Sequence, residues 1–102
     1  MAEFEKAVLA GLCADSMEAG ERSTEESLDE LEALLETAGG TAVGRVLQNR
    51  PAPDPRSFIG EGKVRELRDI IEKNECSLAV FDNELSPSQN RALEEDLGVH
   101  VI

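Results

Sequence analysis

The segment KAVLAGLCA, from Lys6 to Ala14, is apolar along almost its whole length. Such a run is typical of a strand that is buried on both faces of a parallel sheet. The segment SLAVFD, from Ser77 to Asp82, has the same character. We therefore expect these two segments to be neighbouring strands at the centre of one sheet.

A first helical pattern follows the polar segment Asp15–Arg22. Ser23 is predicted to cap this helix, with Glu26 completing a capping box, and Gly39-Gly40 is predicted to end it. The apolar stripe at helical spacing consists of Leu28, Leu31, Leu34, Leu35 and Ala38. A strand is then predicted from Thr41 to Gln48, with Gly44 marking a bulge or a close backbone approach.

Two further helices complete the pattern. One ends near Asn74, and its stripe is Val64, Leu67, Ile70 and Ile71. The other has Ser86 as its cap, Pro87 at its first position and Gln89 in the capping box, and it stops at Gly98. Its inward residues are Leu93 and Leu97, and Val99–Ile102 begins a fourth strand.

The alternation β-α-β-α-β-α-β predicts an open, four-stranded parallel sheet of the α/β class. The two most apolar strands are central, which gives the order 2-1-3-4. Right-handed crossovers then place the first helix on one face and the other two helices on the opposite face. The 102 residues form a single domain, and a chain that ends within a strand is expected to be a fragment of a longer protein.

The segment Asn49–Leu67 carries the local motif of most functional interest. Three prolines between Pro51 and Pro55 bar regular structure, so we expect the loop Pro51–Ser57 to be mobile. The step Gly60-Glu61-Gly62-Lys63 then opens a helix, and Gly60, Gly62 and Lys63 are candidate phosphate-binding residues. A plain helix-opening turn is the alternative.

Two stronger nucleotide motifs are excluded at this turn. A phosphate-binding loop G-x-x-x-x-G-K-[ST] would need glycine at Ser57 and a hydroxyl residue at Val64. A dinucleotide fingerprint G-x-G-x-x-G would need glycine at Arg65, and it should follow a strand directly.

The charge of the chain is unevenly distributed. The formal net charge is −12, which taken whole argues against binding to nucleic acid. Residues 18–36 nevertheless hold eight acidic residues and one basic residue, whereas residues 45–68 hold six basic and three acidic residues. A polyanion responds to the local field, so the basic segment remains a candidate surface; an ordinary solvated face is the alternative.

Cys13 and Cys76 have no metal-ligand spacing, and we expect two free, buried thiols and no metal site. Residues 1–6 do not resemble a secretion signal, and no apolar run reaches the length of a membrane span. The expected location is the cytoplasm, without membrane or DNA partners.

The sequence resembles the N-terminal domain of the HflX-type GTPases, which are ribosome-associated GTP-binding proteins of bacteria and archaea. The resemblance covers nearly the whole chain. It lies in the segments Glu25–Leu31, Thr37–Gly40, Gln48–Arg50, Phe58–Val64, Phe81–Glu94 and Leu97–Ile102. The chain departs from the family in having Glu61 between the two glycines, and it stops before the helical hairpin and the GTPase domain.

The resemblance implies an accessory domain that helps to dock a GTPase on the large ribosomal subunit through rRNA. It also implies that GTP, magnesium and hydrolysis belong to the GTPase domain, so that this chain alone has no cofactor and is no enzyme. The implied partners are rRNA and the downstream helical and GTPase domains. The candidate rRNA contacts are Arg50, Arg56 and Lys63, because backbone phosphates need only cations on an accessible segment.

Arg65 and Arg68 are weaker candidates for contact with rRNA. For these two, pairing with Glu61, Glu66 or Glu72 on the same helix is the preferred interpretation.

Two alternatives remain. Open parallel sheets bind ligands at the carboxyl ends of the strands where the order switches, here between strands one and three. That edge offers Asp15, Asp82, Asn83 and Glu84, which would suit a metal ion or an ATP-type nucleotide site, although Asp82–Ser86 also resembles a turn and helix cap. The chain could also be a purely intramolecular interaction surface.

Overall fold

The computed structural model describes residues 5–102. The expectation about a secretion signal concerned residues 1–6, and residues 1–4 lie outside the described part. The strands are β1 (Lys6–Ala14), β2 (Thr41–Arg50), β3 (Leu78–Phe81) and β4 (His100–Val101). The helices are α1 (Glu25–Thr37), α2 (Glu61–Asn74) and α3 (Pro87–Leu97), and a short 3-10 turn spans Ala19–Glu21. Every strand pairing is parallel and the order is β2-β1-β3-β4, which confirms the predicted sheet.

Alternate side chains of β1 enter two different hydrophobic clusters. Val8, Ala10 and Leu12 pack in the cluster that holds Leu67 of α2 and Leu93 of α3. The neighbouring positions Ala7 and Leu9 pack with Leu28 and Leu31 of α1. The predicted distribution of helices, one on one face and two on the other, is therefore confirmed.

The beginning of α1 differs from the prediction by one residue. The cap is Thr24, whose Oγ1 accepts the amide N–H of Ser27 at 3.0 Å, while Ser27 Oγ accepts the amide N–H of Thr24 at 2.8 Å. The prediction of Ser23 as cap and Glu26 as its partner was wrong. The reason is a contact distant in sequence, since the Ser23 hydroxyl donates to Asp82 Oδ2 at 2.8 Å.

The apolar stripe of α1 is also narrower than predicted. Leu28 is buried, Leu31 and Leu35 pack beside it, and Leu34 is 68% exposed. Six residues after Leu28, a side chain lies about 240° around the helix axis, which turns Leu34 towards solvent. Ala38 is exposed as the C-cap residue, and its placement in the stripe was wrong too.

Strand β2 contains the irregularity expected at Gly44. Ala7 pairs with Ala42 and Val8 pairs with Gly44, so that Val43 is an extra residue, which is a β-bulge. A Cβ atom on Gly44 would lie 3.1 Å from Cγ2 of Ile70 in α2. Both proposed reasons for a glycine here, the bulge and the close approach, are confirmed.

The remaining elements follow the predictions closely. Ser86 and Gln89 form the capping box of α3, and Gly98 ends that helix with φ of 72°. Strands β3 and β4 are shorter than predicted, although the amide N–H of Phe81 still donates to the carbonyl of Ile102 at 2.8 Å. Cys13 and Cys76 are free thiols as expected, but Cys13 is only half-buried. Within residues 5–102, no helix has the length and apolarity needed to cross a membrane.

Candidate nucleic-acid interface

The proline loop (Pro51–Ser57) is closed by hydrogen bonds to Asp54. The amide N–H of Asp54 donates to the carbonyl of Phe58, and the amide N–H of Phe58 donates to the carbonyl of Asp54, each at 2.9 Å. Oδ1 of Asp54 also accepts the amide N–H groups of Arg56 at 2.9 Å and Ser57 at 3.1 Å. These amide donors, that of Ser57 first, hold the pKa of Asp54 below its usual value.

The end of the proline loop is fastened to the core. Phe58 is buried although its φ is 68°, and the amide N–H of Ile59 donates to the carbonyl of Ser57 at 2.7 Å. This is a γ-turn with a left-handed central residue, a strained geometry that its surroundings must hold in place. These contacts restrain the end of the loop, and the expected mobility of Pro51–Ser57 stays a prediction.

Arg50 ends β2 and lies against the start of α2. Its Nε donates to the carbonyl of Ala52 at 3.1 Å, and within residues 5–102 it forms no ion pair. A Cβ on Gly60 would lie 2.5 Å from Nη1 of Arg50 and 2.9 Å from the side-chain amide nitrogen of Gln48. The structure therefore brings Arg50 and Gly60 together, as two of the predicted site residues.

The turn Gly60–Lys63 is an ordinary helix start. Gly60 is the N-cap with φ of −66°, and its amide N–H donates to Oε1 of Gln48 at 2.8 Å. A Cβ on Gly62 would have open space around it. Lys63 pairs with Glu66 at 2.9 Å and, with Gly62, lines an open cleft of about 400 Å³. Phosphate binding by Gly60, Gly62 and Lys63 stays a prediction. The amide N–H of Gly60 already donates to the side chain of Gln48.

Arg56 faces a second cleft, the arginine cleft, whose volume is about 550 Å³. Its lining residues are Asp54, Arg56, Ser57, Glu61, Val64, Arg65, Arg68 and Asp96. Two nitrogens of Arg56 contact the two oxygens of Asp96, Nη1 to Oδ2 at 2.6 Å and Nη2 to Oδ1 at 3.1 Å. This bidentate pair holds the pKa of Asp96 below its usual value and raises the pKa of Arg56.

Arg65 and Arg68 make the helix-surface pairs that were preferred for them. Arg65 lies 3.6 Å from Glu61, and Arg68 lies 3.3 Å from Glu72. Both arginines also line the arginine cleft beside Arg56. The predicted RNA-binding residues therefore do not form one cluster: Arg56 faces the arginine cleft, Lys63 the other cleft, and Arg50 packs over Gly60.

The edge between β1 and β3, proposed as an alternative ligand site, is filled by a hydrogen-bonded group that we name the strand-edge cluster: Ser23, Ser27, Asp82 and Asn83. Oδ2 of Asp82 accepts the hydroxyls of Ser23 at 2.8 Å and Ser27 at 2.7 Å. Asn83 accepts the amide N–H of Leu12 at 2.8 Å and donates to the carbonyl of Leu12 at 3.1 Å.

The strand-edge cluster leaves a cleft of about 240 Å³ lined by Asp82, Asn83 and Glu84 but not by Asp15. Across residues 5–102, no group of three or more His, Cys, Asp or Glu residues is placed to hold a metal ion. The sequence analysis missed Ser23 and Ser27 here. Gly11 makes the cluster possible, since a Cβ on Gly11 would lie 2.5 Å from Oγ of Ser23.

Fold and surface together define a small α/β domain with a polar structural cluster at one sheet edge and a basic loop-and-helix surface beside it. The sequence profile of the family described as "GTP-binding GTPase N-terminal" matches residues 25–102. The chain belongs to this family, and its resemblance to the N-terminal domain of HflX-type GTPases is confirmed.

Three relatives illustrate the similarity, and each is named GTPase HflX. The chain is 36% identical to the protein of Flavobacterium psychrophilum over 99 residues, 44% identical to that of Lacrimispora saccharolytica over 82 and 41% identical to that of Escherichia coli over 69. These alignments cover 97%, 80% and 68% of the chain. They cover only 24%, 19% and 16% of the relatives, so the chain spans less than a quarter of their length.

Proposed function

We propose that this domain helps an HflX-type GTPase to dock on the large ribosomal subunit by contacting rRNA in the cytoplasm. The observation that supports the proposal is the separation of charge on the folded domain. Six of the ten basic residues fall within residues 45–68, in a chain whose formal net charge is −12. Arg45 on β2 pairs with Asp29 and Glu32 of α1, at 2.8 and 2.7 Å. The basic residues of α2 are separated from α1, because the two helices pack on opposite faces of the sheet.

Arg50, Arg56 and Lys63 are the proposed phosphate contacts. Arg50 supports this role because within residues 5–102 it has no carboxylate partner to give up. Arg56 and Lys63 would exchange Asp96 and Glu66 for phosphate oxygens. Such exchanges are feasible at exposed ion pairs, which contribute little to stability.

Sedimentation of the chain with purified large ribosomal subunits over a salt series tests the proposal. The variant Arg50→Glu/Arg56→Glu/Lys63→Glu should bind more weakly, and its log–log salt slope should be flatter by about one unit for each lost phosphate contact. The matched control Lys6→Glu/Lys73→Glu/Arg91→Glu changes the net charge equally and should keep the wild-type slope. Equal behaviour of the two variants would contradict the proposal and favour a purely intramolecular surface.

We also propose that GTP and magnesium bind to a GTPase domain of the HflX type and not to this domain. The absence of a G-x-x-x-x-G-K-[ST] motif from the sequence supports this assignment. Calorimetric titration of the chain with GTP and magnesium should give no heat of specific binding. Saturable binding that is lost in Lys63→Ala would instead assign a nucleotide to the Gly60–Lys63 turn.

A further inference from the structure

The pairing of Arg56 with Asp96 joins parts of the chain that are distant in sequence. The two residues are 40 positions apart, and the contact connects the proline loop to the last turn of α3. The two terminal nitrogens of the guanidinium each donate to one carboxylate oxygen, at 2.6 Å and 3.1 Å. A phosphate group presents two oxygens to arginine in the same way, so the carboxylate of Asp96 occupies a position that a phosphate could take.

The arginine cleft is lined by three arginines and by three carboxylates, those of Asp54, Glu61 and Asp96, so displacement of Asp96 leaves the arginines in excess. The arginine cleft brings Arg65 and Arg68 to the same space as Arg56. Arg68 adds to the lowering of the pKa of Asp96, after the larger contribution of Arg56, so its charge also acts at the carboxylate position. Glu61 and Glu72 hold Arg65 and Arg68 only through exposed pairs within α2, at 3.6 Å and 3.3 Å.

The pair is not needed to hold the elements that it connects. The proline loop is fastened by the paired amides of Asp54 and Phe58 and by the burial of the Phe58 ring. Helix α3 is fastened by Leu93 and Leu97, which are both buried. The Arg56 side chain is 59% exposed, so water and dissolved anions reach it. Breaking the pair should therefore release the guanidinium without loosening the loop.

We infer that the arginine cleft is a binding site for one backbone phosphate of RNA and that Asp96 occupies the site, bound to Arg56, until RNA displaces it. The inference rests on the proposed function. It adds the site at which one phosphate binds and the carboxylate, that of Asp96, which competes with the phosphate for Arg56. Asp96 thereby lowers the affinity for RNA, because each binding event must first separate a bidentate ion pair. Removing the carboxylate should strengthen binding, an outcome that a merely structural ion pair would not produce.

Fluorescence anisotropy measures the affinity of the chain for a labelled RNA hairpin. A double-mutant cycle of Asp96→Asn and Arg56→Ala then tests the inference. Asp96→Asn should tighten binding about two- to fivefold, the range set by exposed ion pairs. The control Glu36→Gln removes one negative charge from the distant, exposed end of α1 and should change the affinity less, because salt screens distant charges. In the Arg56→Ala background, Asp96→Asn should have only the small effect of Glu36→Gln.

The possible results separate this inference from the function on which it rests. If the wild-type chain binds the hairpin but Asp96→Asn behaves like Glu36→Gln, the inference is overturned and RNA binding stands. The inference would also be overturned if Asp96→Asn still tightened binding in the Arg56→Ala background. The gain in affinity would then not come from releasing Arg56. If neither the wild type nor any variant binds the hairpin, even at low salt, the proposed function fails and the inference falls with it.

Discussion

The strand-edge cluster and the arginine cleft both gather polar side chains, but their hydrogen bonds have different partners. In the strand-edge cluster, Asn83 binds backbone groups of β1, and Ser23 is 1% exposed. In the arginine cleft, the exposed Arg56 and the half-buried Asp96 bind each other at the surface. Buried polar groups that complete the backbone are costly to remove, whereas an exposed ion pair exchanges easily. We therefore expect the first region to contribute to stability, and the second is the region for which we propose binding.

The largest expected effect is that of Asn83→Ala in the strand-edge cluster. This substitution leaves the amide N–H of Leu12 without its acceptor, and Leu12 is fully buried. The carbonyl of Leu12 loses the Asn83 donor but still accepts the amide N–H of Ser23 at 3.0 Å. The free energy of unfolding should fall by about 3 kcal/mol. Urea denaturation measures the change, with the exposed Asn49→Ala as control. An equal effect of the two substitutions would show that the cluster does not hold the sheet edge.

A smaller effect is expected for Gly11→Ala on the same edge. The new Cβ would lie 2.5 Å from Oγ and 2.6 Å from Cβ of Ser23, and overpacking of this kind costs about 1–3 kcal/mol. In the background Ser23→Gly the obstacle is absent, so the additional loss caused by Gly11→Ala should shrink. If Gly11→Ala lowers the free energy of unfolding equally in the wild type and in Ser23→Gly, the strain does not arise from contact with Ser23.

The proline loop should respond to acid. Because the pKa of Asp54 is lowered in the folded state, the stability from its ionised form is present above the unfolded pKa, about 3.9. That stability is lost as the pH falls through the lower folded pKa. Asp54→Asn should therefore destabilise the domain at neutral pH, and its difference from the wild type should shrink in acid. Urea denaturation over a pH series measures this, with Asp69→Asn as control; a pH-independent difference would contradict it.

The smallest effect should come from Arg68→Ala in the arginine cleft. Arg68 and Glu72 form an exposed pair four residues apart on α2, which contributes at most about 0.5 kcal/mol. The urea midpoint should stay close to that of the wild type, whereas binding to large ribosomal subunits should weaken. A loss of stability as large as that of Asn83→Ala would erase the distinction between the two regions.

The fold could be predicted because its signals are local or repeated. The apolar segments around Leu9 and Val80 indicate buried strands, and Ser86 with Gln89 indicates the start of α3. The choice between Ser23 and Thr24 was different, because the capping rule favours Ser23, which has Glu26 three residues later, over Thr24, which has Ser27. Asp82, 59 positions from Ser23, decides between them, and no local pattern contains that contact.

The candidate site could be predicted only in part. Charge segregation indicated the basic surface, and helical spacing indicated the pairs of Arg65 and Arg68. The partner of Arg56 could not be predicted, because Asp96 becomes its neighbour only when α3 packs beside α2. The hydrogen bonds that close the proline loop were missed as well. Asp54 before a proline is a turn signal, but the anchoring by Phe58 depends on a core that only the folded chain creates.

The bulge at Val43 has a consequence for how the domain meets other chains. Strand β2 is the longest strand and forms an edge of the sheet, with β1 as its neighbour on one side. An unbroken edge of this length is a template for aggregation with other extended chains. The extra residue interrupts the regular spacing of donors and acceptors along that edge and increases the local twist. An incoming strand would therefore lose its register at Val43, which confines regular pairing along this edge to the stretch from Gly44 to Arg50.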